Sequence, residues 1–97
     1  MIGKAHIANE KKIVSICDDS LLGKKFEQGD LQIDLTSSFY RGEEASEEKL
    51  RELLKGAYLA DFVGEESVKF AIKEKLASEK GVIRVAGVPH AQVFSIE

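Results

Sequence analysis

The apolar residues of this chain change their spacing part-way along it. Leu31, Ile33 and Leu35 alternate with Gln32 and Asp34, whereas Leu50, Leu53, Leu54, Ala57 and Tyr58 recur at intervals of three and four. Alternation places apolar side chains on one face of a strand, and the longer interval places them on one stripe of a helix. A chain that carries both patterns must pack helices on a sheet. With 97 residues there is room for a single domain, 1–97, built around one core. The class expected is therefore α+β.

The helical part begins after Ser46, a residue type that caps exposed amides, and Glu47 and Glu48 fall in the first turn where negative charge is favoured. Gly64 is expected to stop or bend this helix. A second one, "EESVKFAIKEKLA", puts Val68, Ala71, Ile72 and Leu76 on one stripe. Extended segments are expected in "IGKAHIA" and "IVSIC", joined as a hairpin by a polar turn at Asn9, then in "LQIDL", "GVIRVAG" and "HAQVFSI". "DDSLLGKKFEQGD" is broken by Gly23 and Gly29 and reads as a crossing loop. These elements predict a small antiparallel or mixed sheet of about five strands with two consecutive helices on one face. The helical stripes and the Leu31 to Leu35 face would meet in one core, leaving the other sheet face solvated or free for a partner.

Composition excludes several functions. Cys17 is the single cysteine, so an intrachain disulfide and a thiolate pair for zinc or redox chemistry are both ruled out, which fits a reducing, cytoplasmic setting. "MIGKAHIANEKK" has no uninterrupted apolar run, so neither a signal peptide nor a membrane span is expected. With 17 acids against 14 bases the net charge is -3, which opposes long-range attraction to a polyanion but leaves room for a local basic patch.

Three stretches concentrate residues suited to chemistry. In "GVPHAQ", residues 87–92, Gly87 permits a turn and Pro89 stiffens it, so that His90 and Gln92 emerge from a held backbone. His90 suits acid or base work near neutrality; the alternative is that Pro89 shapes a tight connection and His90 bonds a backbone carbonyl. In "SSFYRG", Phe39, Tyr40 and Arg41 stand together in a connection, as contact residues do; equally, Phe39 plugs a core and Tyr40 covers its edge. In "CDD", Asp18 and Asp19, joined by Glu43, Glu44 or Asp61, offer the hard oxygens that Ca2+ or Mg2+ prefer, although the spacing departs from a helix-loop-helix calcium site. Cys17 becomes a nucleophile only if folding brings His90 within hydrogen-bond reach, and no third, orienting residue is evident. There is no phosphate-binding glycine loop and no pair of histidines at helical spacing.

Three readings follow. The leading one is a non-enzymatic binding or accessory module, without an obligate cofactor, that contacts a protein or RNA partner through Phe39, Tyr40, Arg41, Pro89, His90 and Gln92. Its RNA version requires Arg41, Lys24 and Lys25 to share a face with Tyr40. The second is a Ca2+- or Mg2+-binding protein using Asp18, Asp19, Glu43 and Glu44. The third is a small hydrolase or transferase using His90. An unprotected edge strand would also permit a weak homodimer.

Four segments taken in order, "CDDSLLGKKF", "SSFYRGE", "ADFVGEESVKFAIKE" and "VIRVAGVPHAQVF", resemble an archaeal family, domain of unknown function 424. The likeness spans nearly the whole chain. It implies an intracellular archaeal protein of about this length, and it assigns no catalytic role to Cys17, Asp18, Tyr40 or His90.

Overall fold

The computed structural model describes every residue from Met1 to Glu97. Ten elements follow one another: β1 (Ile2–Ala8), β2 (Lys11–Cys17), β3 (Lys25–Gln28), β4 (Leu31–Asp34), β5 (Glu43–Glu44), α1 (Glu47–Leu54), β6 (Leu59–Val63), α2 (Glu65–Lys73), β7 (Ile83–Val85) and β8 (Val88–Phe94). Six strands form one mixed sheet in the order β5-β1-β2-β6-β8-β7, in which only β2 and β6 run parallel. The remaining pair, β3 and β4, is a separate antiparallel hairpin. No helix is long and apolar enough to cross a membrane.

The α+β class and the mixed sheet are as the sequence implies, and so is the opening hairpin turned at Asn9 and Glu10. The helices are not directly consecutive, because a strand separates them. Helix α1 starts as expected, with Ser46 Oγ accepting from the Lys49 amide at 3.2 Å, but it ends at Leu54. Gly56 follows in the left-handed conformation at φ 73°, the usual way to leave a helix. The next run, Leu59–Val63, is central strand β6, four of whose five residues are buried. A strand covered on both faces loses its alternation, so the run does not advertise itself as one.

Two cores result rather than one. Both helices lie on the same sheet face, where Leu50, Leu54, Val68 and Ala71 close over Val14, Ile16, Ala60, Phe62 and Ala91. The opposite face carries Cys17, Val63 and Val85, roofed by Ile33 and Leu35. The alternating Leu31 to Leu35 run therefore belongs to the hairpin and never meets the helices. Its partner β3 lies inside the stretch expected to be a crossing loop. Alternation reports that one face is buried but not which surface buries it.

The last connection also departs from expectation. The chain turns at Ala86 and Gly87, both at positive φ, and Pro89 sits within β8, an interior strand. A proline is tolerated there because its backbone faces Gly64: Pro89 O accepts from Gly64 N at 2.9 Å, while the Gly64 carbonyl opposite the missing N–H accepts from Val68 N at 2.9 Å. The helix thus consumes the acceptor that a proline cannot reach.

Candidate functional site

On the face opposite the helices, register places Lys4, Ser15, Asp61 and Gln92 in one row across β1, β2, β6 and β8. Polar residues in the middle of a sheet need partners, and the "SSFYRG" connection supplies them. It passes over β1 and β2 as a 3-10 turn, Ser38–Tyr40, whose start is capped by Ser37 Oγ accepting from Phe39 N at 3.1 Å. The Phe39 carbonyl accepts two bonds, from Ser15 Oγ at 2.8 Å and from His6 Nε2 at 2.9 Å. Lys4 Nζ donates to Ser38 O at 2.8 Å. The Phe39 ring stacks on His6 at 4.6 Å between centroids, and Tyr40 meets Phe39 edge-on at 5.0 Å.

This anchoring brings the Tyr40 hydroxyl to Asp61. Tyr40 donates to Asp61 Oδ2 and the His90 ring donates from Nε2 to Asp61 Oδ1, so both carboxylate oxygens are engaged. The side chain of Asp61 is 6% exposed and that of His90 is 24% exposed. A buried carboxylate is tolerable only with such charge-assisted partners. Burial and the Asp61 charge push the Tyr40 phenol well above its ordinary range, which keeps it a donor. With Nε2 held by Asp61, the His90 tautomer is fixed and Nδ1 is the ring's free nitrogen.

Two of the three motifs therefore converge: "SSFYRG" through Tyr40 and "GVPHAQ" through His90. Phe39 and Pro89 are largely enclosed, while Arg41 and Gln92 are exposed beside the cluster. The residue that joins the motifs, Asp61, was no more than an optional cation ligand in the sequence. Its signal was a lone carboxylate inside the apolar run Leu59–Val63. His6 and Ser15 carried no signal at all.

Cys17 does not join the cluster. It shares a face with His90, but β6 runs between them with Val63 as the intervening partner, so they stand about 10 Å apart at two strand spacings. That exceeds any hydrogen bond to sulfur. The thiol is 1% exposed, and burial, reinforced by the Asp18 and Asp19 charges, pushes it up to about 11. Cys17 therefore cannot act as a nucleophile with His90, and a cavity of about 780 Å³ lies elsewhere, between α2 and β7, lined by Glu66, Val68, Ile72, Arg84 and Pro89 among others.

The acidic residues separate as well. Asp18 turns inward to cap α2: Oδ1 accepts from Ser67 N and Ser67 Oγ, both at 2.8 Å, and Oδ2 accepts from Glu66 N at 3.1 Å. Asp19 and Glu44 lie against the Met1 amine at 2.8 and 3.0 Å, and contact with Glu44 and that amine holds the Asp19 carboxyl below its usual range. Glu43 is exposed on β5. Of the four, only Asp19 and Glu44 meet, at the Met1 amine, and no group of three or more His, Cys, Asp or Glu side chains is placed to hold a metal ion.

Comparison with known proteins agrees with the fold. A crystal structure of an uncharacterized conserved protein from Methanopyrus kandleri superposes with a TM-score of 0.77 over 98% of this chain and 90% of that one, at 20% sequence identity. At that identity the likeness shows the fold alone. No curated protein matches the chain. Residues 5–96, nearly the full length, match the family described as protein of unknown function (DUF424), and the chain belongs to that family.

Proposed function

We propose that this protein is a non-enzymatic binding module whose contact surface is the join between the "SSFYRG" connection and the "GVPHAQ" strand. The observation that supports it is the seating of Tyr40 and His90 on the two oxygens of Asp61. A carboxylate shared in this way fixes two separate chain segments in one geometry before any partner arrives, and pre-ordered contact residues reduce the entropy lost on binding. Every buried side-chain nitrogen and oxygen has a hydrogen-bond partner, so the cluster is saturated, as a scaffold is. Arg41 and Gln92 flank it and are exposed, which suits them to be the contacting groups.

The test is capture from a native archaeal lysate by the parent chain and by an Arg41→Glu, Gln92→Arg double variant. The reading expects a stoichiometric partner that the parent retains and the variant loses. Turnover of a metabolite by the parent, with no stoichiometric partner recovered, would overturn it.

A further inference from the structure

The six-stranded sheet has two edges, and the fold covers one of them and part of the other. The hairpin β3–β4 packs against β7, where Gln28 Oε1 accepts from Ala86 N at 2.7 Å. At the opposite edge β5 pairs with β1 only at Ile2 and Gly3. Gly42 then lies against the next step of the strand: a Cβ on it would stand 2.1 Å from the Gly3 carbonyl oxygen and 2.8 Å from Lys4 Cβ. Beyond Lys4 no strand follows, so residues 5–8 are bare edge.

The hydrogen-bond phase of β1 follows from its turn. A two-residue turn at Asn9 and Glu10 makes Ala8 and Lys11 a hydrogen-bonded pair, so Ala8, His6 and Lys4 spend their backbone groups on β2. Ala5 and Ile7 point theirs outward, and neither finds a partner in another strand or a loop. Edges are ordinarily blunted by lysine, proline or a bulge, yet residues 5–8 read "AHIA". Ile7 is 74% exposed, the most of any large apolar side chain in water.

Two features say what fits this edge. The first is its symmetry. An antiparallel copy of the same strand, set with Ile7 opposite its counterpart, exchanges both backbone bonds at that residue and lays the two isoleucines side by side on the helix-bearing face. Asn9 of one copy then stands opposite Ala5 of the other, and the pairing runs out where Gly42 closes the edge. Setting His6 opposite its counterpart would instead bring Ala8 against Gly42. Helix α1 covers β1 at Gly3, through Leu50 and Leu53, so the two-fold axis sets the helices of the two copies at opposite ends of the seam.

The second feature is charge. Ala5 borders a groove of about 620 Å³ lined by Lys4, Arg41, Glu43, Glu44 and Lys49 among others. Glu44 is held at the Met1 amine, which leaves Glu43 alone against three cations. Glu10 makes no ion pair within its own chain. In the paired arrangement the Glu10 turn of each copy arrives at the positive groove of the other, so charge favours a second copy as the occupant.

We propose that residues 5–8 of β1 form a homodimer interface, which joins two six-stranded sheets by antiparallel pairing of β1 with its counterpart about a two-fold axis at Ile7. The inference goes beyond the binding-module reading and does not rest on it. So short an edge buries less than a standard interface, and the dimer is weak, with a dissociation constant on the order of 10–100 μM.

The test is sedimentation equilibrium of the purified full chain from about 5 to about 500 μM, a range that brackets that constant. The average mass should climb from 10.7 kDa toward twice that value. Ile7→Lys puts a charge at the two-fold axis on a side chain already in water; it should weaken association about tenfold or more while the circular dichroism melt shows an intact fold. Glu10→Lys alone, and an Arg41→Glu, Lys49→Glu variant alone, should each weaken it about threefold or more. Mixed in equal amounts, those two proteins should associate about as tightly as the parent, because opposite charges then meet at both ends of the seam. A parent that stays at 10.7 kDa throughout overturns the proposal, whether the edge then takes a strand of another protein or stays in water. So does an Ile7→Lys variant that associates like the parent, or a mixture no tighter than its components.

Discussion

Tyr40 and His90 share one carboxylate, each donating to a different oxygen of Asp61. Neither segment alone gives its polar side chain a reason to be half-buried; together with Asp61 they form a closed set in which each donor faces an acceptor. Removing one member exposes the cost of the others. Tyr40→Phe leaves one oxygen of a buried carboxylate without its donor and should lower stability by about 1–3 kcal/mol in urea unfolding. Asp61→Asn should cost a similar amount, and the double variant much less than the sum, since the two act on one hydrogen-bonded set. Additive losses would show that the cluster is not a unit.

Gly64 makes room for the Asp18 cap. Its φ is 110°, and a Cβ placed on it would stand 2.3 Å from Asp18 Cγ. Gly64→Ala should therefore destabilise the fold by about 3 kcal/mol or more, combining backbone strain with displacement of the cap. Asp18→Ala, which removes three bonds to the start of α2, should cost about 2 kcal/mol. In the Asp18→Ala background, Gly64→Ala should recover part of its penalty; thermal melts of the four proteins measure that coupling.

The turn between β1 and β2 places Asn9 at φ 51° and Glu10 at φ 66°. A two-residue hairpin turn of this hand favours asparagine followed by glycine, and glutamate has no side-chain chemistry to offset the left-handed conformation. Glu10→Gly should stabilise the protein by about 1 kcal/mol, and Ala86→Asn, at φ 51° in the β7–β8 turn, by a few tenths. A loss of stability in the first variant would mean that Glu10 makes a contact outweighing its backbone strain.

Cys17 should resist modification. A thiol pushed up from 9.0 to about 11 presents roughly a hundredfold less thiolate at neutral pH, and it is also enclosed. Alkylation should therefore proceed at the rate of unfolding and accelerate on adding urea. Because the folded state holds this proton more tightly than the unfolded one, the contribution is fully present below pH 9 and is lost as pH rises through about 11. Cys17→Ala should flatten the fall in melting temperature over that window, and an unchanged fall would assign it to other groups.

Local pattern was enough for the elements whose environment is one-sided. The Ser46 cap, the apolar stripes of α1 and α2, and the first hairpin are each legible because a surface element buries one face and its period survives. Leu59–Val63 failed that test, being buried on both faces, and with it went Asp61, the residue on which the candidate site turns. The "CDD" motif is ambiguous in another way: a carboxylate suited to a cation is equally suited to three backbone and hydroxyl donors, and in the fold Asp18 accepts from the start of α2.

Residue order alone therefore specified the class and the strands and helices that carry a clear period. The union of Tyr40, Asp61 and His90, the division into two cores and the open edge of β1 came from long-range pairing. Their physical cause is the parallel registration of β2 with β6 and the antiparallel one of β6 with β8. Those pairings bring distant segments onto one face, where hydrogen-bond satisfaction in a dry interior selects which polar groups meet.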